Sequence, residues 1–292
     1  MTSSPPAKRF DWKNLRVRLI SAFAIIPAVA LAVWLGDWTY TVLICIVGAL
    51  LAREWGRLVA PSAPIRVGVV IGVSVIAAIV LAHVAGTASL AASPDAHLWW
   101  LATWGSVLLG SGLTTLVAFR LTAHVPDAAY GVIYIAPAGI AMVWLRDMPE
   151  GAPWTVYLFA VTWWTDIMAY IFGNAFKGPK LWPKFSPNKT WSGFFGGLFG
   201  AMLTGAIVLA ISSVFKHPFI GYPGAIFVGL LTGLATSGGD LWESMLKRRF
   251  GVKDTGGIIP GHGGMLDRVD GLMFAVMIVA AARLVQHWGW GI

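Results

Sequence analysis

The residues best suited to chemistry lie in one polar stretch, residues 237–270, of a chain that is otherwise apolar. This stretch holds five of the thirteen acidic residues and five basic ones. The acidic residues are Asp240, Glu243, Asp254, Asp267 and Asp270, and the basic residues are Lys247, Arg248, Arg249, Lys253 and Arg268. Mg²⁺ prefers carboxylate oxygens, and Lys and Arg bind phosphate through charge-assisted hydrogen bonds. The stretch therefore predicts a site for a metal ion and a phosphate-rich ligand.

The spacing of these residues indicates helices at both ends of the stretch. Asp240, Glu243, Ser244 and Lys247 stand at i, i+3, i+4 and i+7, so a helix puts all four on one face. A solvated charged face is the ordinary alternative, but this one begins directly after the apolar segment 219–236.

Two further carboxylates, Asp267 and Asp270, stand one turn apart before the last apolar segment. Two carboxylates one turn apart at a helix entry are well placed to bind a hard cation such as Mg²⁺.

Two upstream elements could join this site. Asp166 lies inside the apolar segment 154–172, where an ionisable group is costly unless it is paired or faces water; a helix-packing hydrogen bond is its alternative role. Ser186, Lys189 and Thr190 precede a Gly-rich helix start, where phosphate binding is favoured. The alternative for that loop is a basic surface with no ligand. Asp166 and Glu243 are further candidates for the metal.

The composition defines the setting of the site. Of the 292 residues, 57% are hydrophobic and only 12% are charged, against about 25% charged in a typical soluble domain. The net charge of +8 comes from basic residues in short loops between apolar segments, a pattern of membrane topology rather than of nucleic-acid binding. Cys45 is the only cysteine, which excludes an intrachain disulfide.

Apolar segments long enough to cross a membrane follow a basic N-terminal segment, residues 1–18. They are residues 19–35, 39–51 (extending to 59), 67–85, 98–119, 129–145, 154–172, 194–214, 219–236 and 271–288. With the N-terminus in the cytoplasm, eighteen of the twenty-one Lys and Arg residues lie in cytoplasmic segments and two in outer loops. The sequence thus predicts an all-α polytopic integral membrane protein with about nine transmembrane helices and a cytoplasmic N-terminus. Residues 19–150 form a scaffold of about five helices, and residues 151–292 form a catalytic region with cytoplasmic loops 173–192 and 237–270.

The polar stretch also carries a long motif with fixed gaps. It reads S-x-L-K-R from Ser244, K-D-x-G from Lys253, and P-x-H-G-G-x-x-D-R-x-D over Pro260–Asp270. Two elements precede it, D-x-x-A-Y-x-x-G from Asp166 and S-P-N-K-T-W from Ser186. Together these resemble the signature of phosphatidate cytidylyltransferases (CDP-diacylglycerol synthases). The resemblance covers about residues 154–270 in detail, and a motif of this length is highly specific.

The resemblance implies a membrane enzyme that condenses CTP with phosphatidic acid to give CDP-diacylglycerol and pyrophosphate. It implies Mg²⁺ held by Asp240, Asp267 and Asp270, with a second, monovalent, cation left open. By analogy it implies a homodimer in the cell (inner) membrane, and the count of basic residues places the active site on the cytoplasmic side. The catalytic residues expected are Asp240, Lys253, Asp254, His262, Asp267, Arg268 and Asp270. The residues expected to bind the phosphates of CTP or of phosphatidate are Ser186, Lys189, Thr190, Ser244, Lys247, Arg248, Gly263 and Gly264.

One departure and two alternatives stay open at this stage. Many family members have an acidic residue where this chain has Ser192, so we assign Ser192 no metal role. A CTP-dependent transferase acting on a polyprenol or an ether lipid would fit the same motif. An ion-coupled transporter using Asp166 and Asp240 fits the dense basic residues poorly. The Walker loop, the zinc motif H-E-x-x-H and the CDP-alcohol phosphotransferase pattern are missing.

Overall fold

The computed structural model describes residues 26–214, 219–258 and 263–289. The basic N-terminal segment 1–18 and His262 lie outside the described residues, so the predictions made for them have no structural outcome. The described residues form nine α-helices and one β-hairpin. The helices are α1 (Ile26–Leu35), α2 (Asp37–Val59), α3 (Pro64–Leu90), α4 (Ala96–Ala118), α5 (Val125–Asp147), α6 (Gly151–Phe176), α7 (Trp191–Val214), α8 (Tyr222–Arg249) and α9 (Leu266–His287).

The fold is all-α, as predicted, and it is that of a membrane protein. Seven of the described helices, α3 to α9, are long and apolar enough to cross a membrane. The shorter helix α1 is apolar as well, and α2 carries charged residues at both ends, among them Asp37 and Glu54. Each helix overlaps one predicted apolar segment, because hydrophobic length is a local property of the sequence. The number of crossings and the orientation of the N-terminus stay predictions.

The predicted loop 173–192 is more regular than expected. Helix α6 continues to Phe176, and strands β1 (Lys180–Trp182) and β2 (Ser186–Thr190) pair antiparallel, with Lys180 opposite Thr190 and Trp182 opposite Ser186. Prolines lack a backbone N–H, but a two-stranded hairpin has two open edges on which they are tolerated. The hairpin gives Lys189 a fixed place ahead of α7.

Close backbone contact between α8 and α9 determines the geometry of the site. A Cβ atom on Gly239 would lie 2.5 Å from the carbonyl oxygen of Asp270 and 3.1 Å from Cα of Gly271. Only glycine permits this approach. Because Gly239 precedes Asp240 and Gly271 follows Asp270, the contact brings these two carboxylates to the same point between the helices.

Two hydrogen bonds each join segments that the sequence predicts to lie on the same side of the membrane. Thr122 donates a hydrogen bond to the carbonyl oxygen of Val59, which joins two loops predicted to be cytoplasmic. Arg146 donates to the carbonyl oxygen of Val33 at 2.7 Å, which joins segments predicted to lie on the opposite side. We call the end of the bundle that carries residues 250–258 and 263–265 the loop end.

Candidate active site

Three carboxylates converge between α8 and α9 at the loop end. One oxygen from each of Asp240, Glu243 and Asp270 lies within 4.8 Å of the others, and we call this group the carboxylate cluster. The helical spacing of three residues puts Asp240 and Glu243 on one face of α8. The Gly239–Gly271 contact brings Asp270 of α9 against that face. This set of oxygen donors is of the kind that binds a hard divalent cation.

Glu243 is the least satisfied member of the cluster. Its side chain is fully buried, and among the described residues neither of its oxygens accepts a hydrogen bond of good geometry. Its ionic partner is Lys247, whose Nζ lies 2.5 Å from Oε2. Because Lys247 also pairs with Asp267, its single positive charge compensates this buried carboxylate only in part. The cluster therefore fits a bound cation, and Mg²⁺ suits its all-oxygen donor set.

Two other elements bring charges to the cluster. Lys189 of strand β2 forms an ion pair with Asp240, so the hairpin contacts α8 at the site. Asp166 of α6 interacts electrostatically with both Asp240 and Lys189. The structure thus brings Lys189 and Asp166 to the polar stretch, from which they are separated in sequence by more than forty residues.

Asp267 has a different environment from the one expected. Its Oδ1 accepts a hydrogen bond from Lys247 at 2.8 Å. Its Oδ2 accepts hydrogen bonds from the backbone N–H groups of Thr255 at 3.1 Å and Gly264 at 3.0 Å. Asp267 stands in the first turn of α9, where a carboxylate is favoured near unpaired N–H groups. The structure places it outside the carboxylate cluster, where Glu243 is the third member.

Besides Lys189, which pairs with Asp240, two further residues expected to bind phosphate have partners within the protein. Lys247 bridges Glu243 and Asp267. The Thr190 hydroxyl accepts a hydrogen bond from the Gly193 N–H at 3.1 Å, which caps the start of α7. Ser192 also has a structural contact: its hydroxyl donates to the carbonyl oxygen of Lys177 and so ties the end of α6 to the start of α7.

The remaining predicted residues differ in their exposure to solvent. Arg248, Lys253, Asp254 and Arg268 are exposed, and Ser186 and Ser244 are partly buried. Gly263 has a φ of 85°, a conformation that favours glycine, and the buried Gly264 donates to Asp267. Phosphate binding by these side chains stays a prediction.

Sequence reasoning missed one residue of this region, Glu54 of α2. Its oxygens accept hydrogen bonds from the backbone N–H groups of Met265 at 2.9 Å and Leu266 at 2.8 Å. The available signal was a carboxylate near the end of an apolar segment, in the run Arg53-Glu54-Trp55. That signal does not name a partner, because the partner lies more than two hundred residues away.

Comparison with known proteins identifies the family. A family model described as the cytidylyltransferase family matches residues 16–285. The chain belongs to this family. The match includes all elements of the site, from Glu54 in α2 to Asp270 in α9.

Curated relatives agree with this assignment. The chain is 35% identical to the phosphatidate cytidylyltransferase of Brucella abortus (strain 2308) over 279 residues, which is 94% of this chain and 93% of the relative. It is 36% identical to the protein of the same name from Brucella melitensis biotype 1 over the same shares. It is 41% identical to that of Staphylococcus aureus (strain COL) over 154 residues, or 52% of this chain and 58% of the relative. These cytidylyltransferases resemble the chain over nearly its full length or over about half of it.

Proposed function

We propose that this membrane cytidylyltransferase uses CTP and phosphatidic acid to form CDP-diacylglycerol and pyrophosphate. The observation that carries the proposal is the carboxylate cluster Asp240–Glu243–Asp270, with Lys189 and Lys247 beside it, inside a family match that covers most of the chain. The names of the relatives supply the acceptor lipid.

The reaction suits a site with no strong general base. An anionic oxygen of the phosphatidate phosphate attacks the α-phosphorus of CTP, an oxygen–phosphorus bond forms, and the bond between the α-phosphorus and the bridging oxygen to the β-phosphate breaks. The leaving group is pyrophosphate, and no proton must be removed from the nucleophile. The main obstacle is repulsion between two polyanions.

The residues of the site address this repulsion. Held by Asp240, Glu243 and Asp270, Mg²⁺ would supply charge neutralisation at the transferred phosphate and the leaving group. Lys189 and Lys247 pair with Asp240 and Glu243 respectively, and so reduce repulsion among neighbouring carboxylates. The exposed Arg248, Lys253 and Arg268 are placed to meet phosphate groups arriving from the aqueous side.

The surface of α6 supports a lipid acceptor. Around Asp166 this helix exposes large side chains, including Trp163, Ile167 and Tyr170, the last at 74% exposure. In a bilayer these side chains face the hydrocarbon region or its interface. An acceptor with acyl chains along α6 would present its headgroup close to Asp166 and Lys189.

We further propose that the enzyme lies in the cell (inner) membrane with the loop end in the cytoplasm, where CTP is available. The bias of eighteen cytoplasmic against two outer basic residues supports this orientation. The homodimer expected by analogy stays a prediction.

The test uses purified protein in liposomes with labelled CTP, phosphatidic acid and Mg²⁺. We expect labelled CDP-diacylglycerol and equimolar pyrophosphate, and no product after EDTA treatment until Mg²⁺ is restored. Parallel reactions replace phosphatidic acid with a polyprenyl phosphate or an ether-linked phosphatidate. Product from one of these acceptors alone, with none from phosphatidic acid, would overturn the proposed acceptor.

A further inference from the structure

Glu54 is a fully buried carboxylate in the N-terminal half of the chain. Burying an ionised carboxylate is strongly unfavourable unless hydrogen bonds or charges compensate it. Among the described residues, three donors contact Glu54: the N–H groups of Met265 and Leu266, and the Thr255 hydroxyl at 3.3 Å. All three belong to the segment that leads into α9.

These N–H groups are unusual partners for a side chain of α2. The first N–H groups of an α-helix have no acceptor within the helix, and they carry the positive end of the helix dipole. A cap normally comes from the residue just before the helix. At α9 that residue is Met265, which offers no capping side chain. Glu54, which belongs to a different helix, accepts the hydrogen bonds that a capping side chain would otherwise accept.

The loop before α9 is packed tightly around the Glu54 carboxylate. A Cβ atom on Gly256 would lie 2.7 Å from Oε1, and one on Gly264 would lie 2.9 Å from Oε2. Gly256 belongs to the K-D-x-G part of the motif, and Gly264 belongs to the H-G-G part. Their lack of a side chain lets the loop backbone reach Glu54.

The capped turn carries Asp267 and leads directly to Asp270. Asp267 is the second residue of α9, and it shares the Thr255 hydroxyl with Glu54. Asp270 follows one turn later and belongs to the carboxylate cluster. The position of the first turn of α9 therefore sets where Asp267 meets Lys247 and where Asp270 meets Asp240 and Glu243.

We propose that Glu54 is a positioning residue for the cytidylyl transfer. From α2 it fixes the start of α9 and thereby the geometry of the carboxylate cluster, without touching the substrates. Residues 19–150 are then part of the catalytic apparatus and not only a scaffold. This inference rests on the proposed function.

The first test is Glu54→Gln, which keeps the shape of the side chain but replaces one acceptor oxygen with an NH₂ group facing an N–H. We expect kcat per folded molecule to fall at least about tenfold, and the Mg²⁺ concentration for half-maximal activity to rise at least about threefold. The matched control is Glu150→Gln, the same chemical change at an exposed residue before α6, which we expect to leave both quantities unchanged. Glu54→Asp retains a carboxylate one methylene shorter and should recover part of the activity.

A second readout does not depend on turnover. Mg²⁺ should raise the melting temperature of the wild-type protein, because an ion that binds only the folded state stabilises it. We expect this shift to be at least halved in Glu54→Gln and kept in Glu150→Gln. Should Glu54→Gln fail to fold, Glu54→Asp and Thr255→Val, which removes the shared hydroxyl, take its place in both measurements.

The outcomes are distinguishable. Wild-type kcat and wild-type Mg²⁺ response in folded Glu54→Gln would overturn the inference, as would a lower melting temperature with unchanged activity per folded molecule. A wild-type protein that makes no CDP-diacylglycerol would overturn the proposed function, while the Mg²⁺-dependent melting shift would still decide the role of Glu54.

Discussion

Two clusters of ionisable residues lie in different parts of the helix bundle, and they differ in how completely their polar atoms are paired. The first is the carboxylate cluster at the loop end. The second, which we call the histidine cluster, consists of His83, Asp37 and Asp147. The ring of His83 is buried, with Nδ1 2.7 Å from Asp147 and Nε2 3.2 Å from Asp37. Trp38 packs edge-on against the ring with centroids 4.4 Å apart.

The His83 ring of the histidine cluster finds both of its polar partners within the protein. Both ring nitrogens contact a carboxylate, and the three residues join α2, α3 and α5. The carboxylate cluster contains the buried Glu243, which shares the ammonium group of Lys247 with Asp267. Among the described residues it accepts no hydrogen bond of good geometry. Buried polar groups are almost always hydrogen-bonded when their role is structural. The comparison therefore assigns stability to the histidine cluster and ligand binding to the carboxylate cluster.

The largest expected effect comes from exchanging a carboxylate for its amide in each cluster. Asp270→Asn removes a charge from the proposed metal site, and we expect activity to fall at least about a hundredfold, or about 2.7 kcal/mol. Asp147→Asn, the same change in the histidine cluster, should lower the melting temperature and leave activity per folded molecule within about twofold. CTP turnover and thermal unfolding measured on both variants check this, and the assignment fails if the two variants lose activity equally.

The next effect tests the close approach of α8 and α9. Gly239→Ala would place a methyl group against the Asp270 carbonyl oxygen, so the helices must separate and the carboxylates move apart. We expect activity to fall at least about tenfold. Gly238→Ala is the control, because a Cβ atom there has no neighbour within 4 Å. Equal activity in the two alanine variants would show that the cluster tolerates a wider separation of these helices.

A smaller effect is expected from removing the histidine. His83→Leu leaves the buried Asp147 without its ring partner, which costs about 1–3 kcal/mol of stability. Denaturation in detergent should show this loss, with activity per folded molecule unchanged. His97→Leu serves as the control, because His97 is exposed. A variant with normal stability but lost turnover would place the histidine cluster in catalysis instead.

The smallest effect is expected at Asp127, which pairs with Arg249 at 3.0 Å where the N-terminal half meets the end of α8. The arginine is 61% exposed, so Asp127→Asn should cost less than about 1 kcal/mol, and the loss should shrink further at high salt. Unfolding at low and high ionic strength measures it. A loss of several kcal/mol would show that this pair is effectively shielded from solvent.

Local patterns in the sequence determined the helical membrane fold, the family and part of the site. Hydrophobic length predicted each helix, because crossing an apolar layer requires about twenty apolar residues. The spacing of Asp240, Glu243 and Lys247 placed them on one helix face, since helical period depends only on nearby residues. The motif from Ser244 to Asp270 indicated the family, and the family model matches the chain.

Only the tertiary structure decided which charges meet. Asp267 and Asp270 stand one turn apart, and their spacing alone does not distinguish their roles. The capped turn of α9 directs Asp267 to Lys247 and Thr255. The Gly239–Gly271 contact brings Asp270 to Asp240 and Glu243. Glu54 reaches Leu266 across 212 positions of the chain. Neither arrangement follows from a local pattern, because each depends on how separate helices pack. The sequence determined which residues are charged and which helices carry them, and helix packing decided their partners.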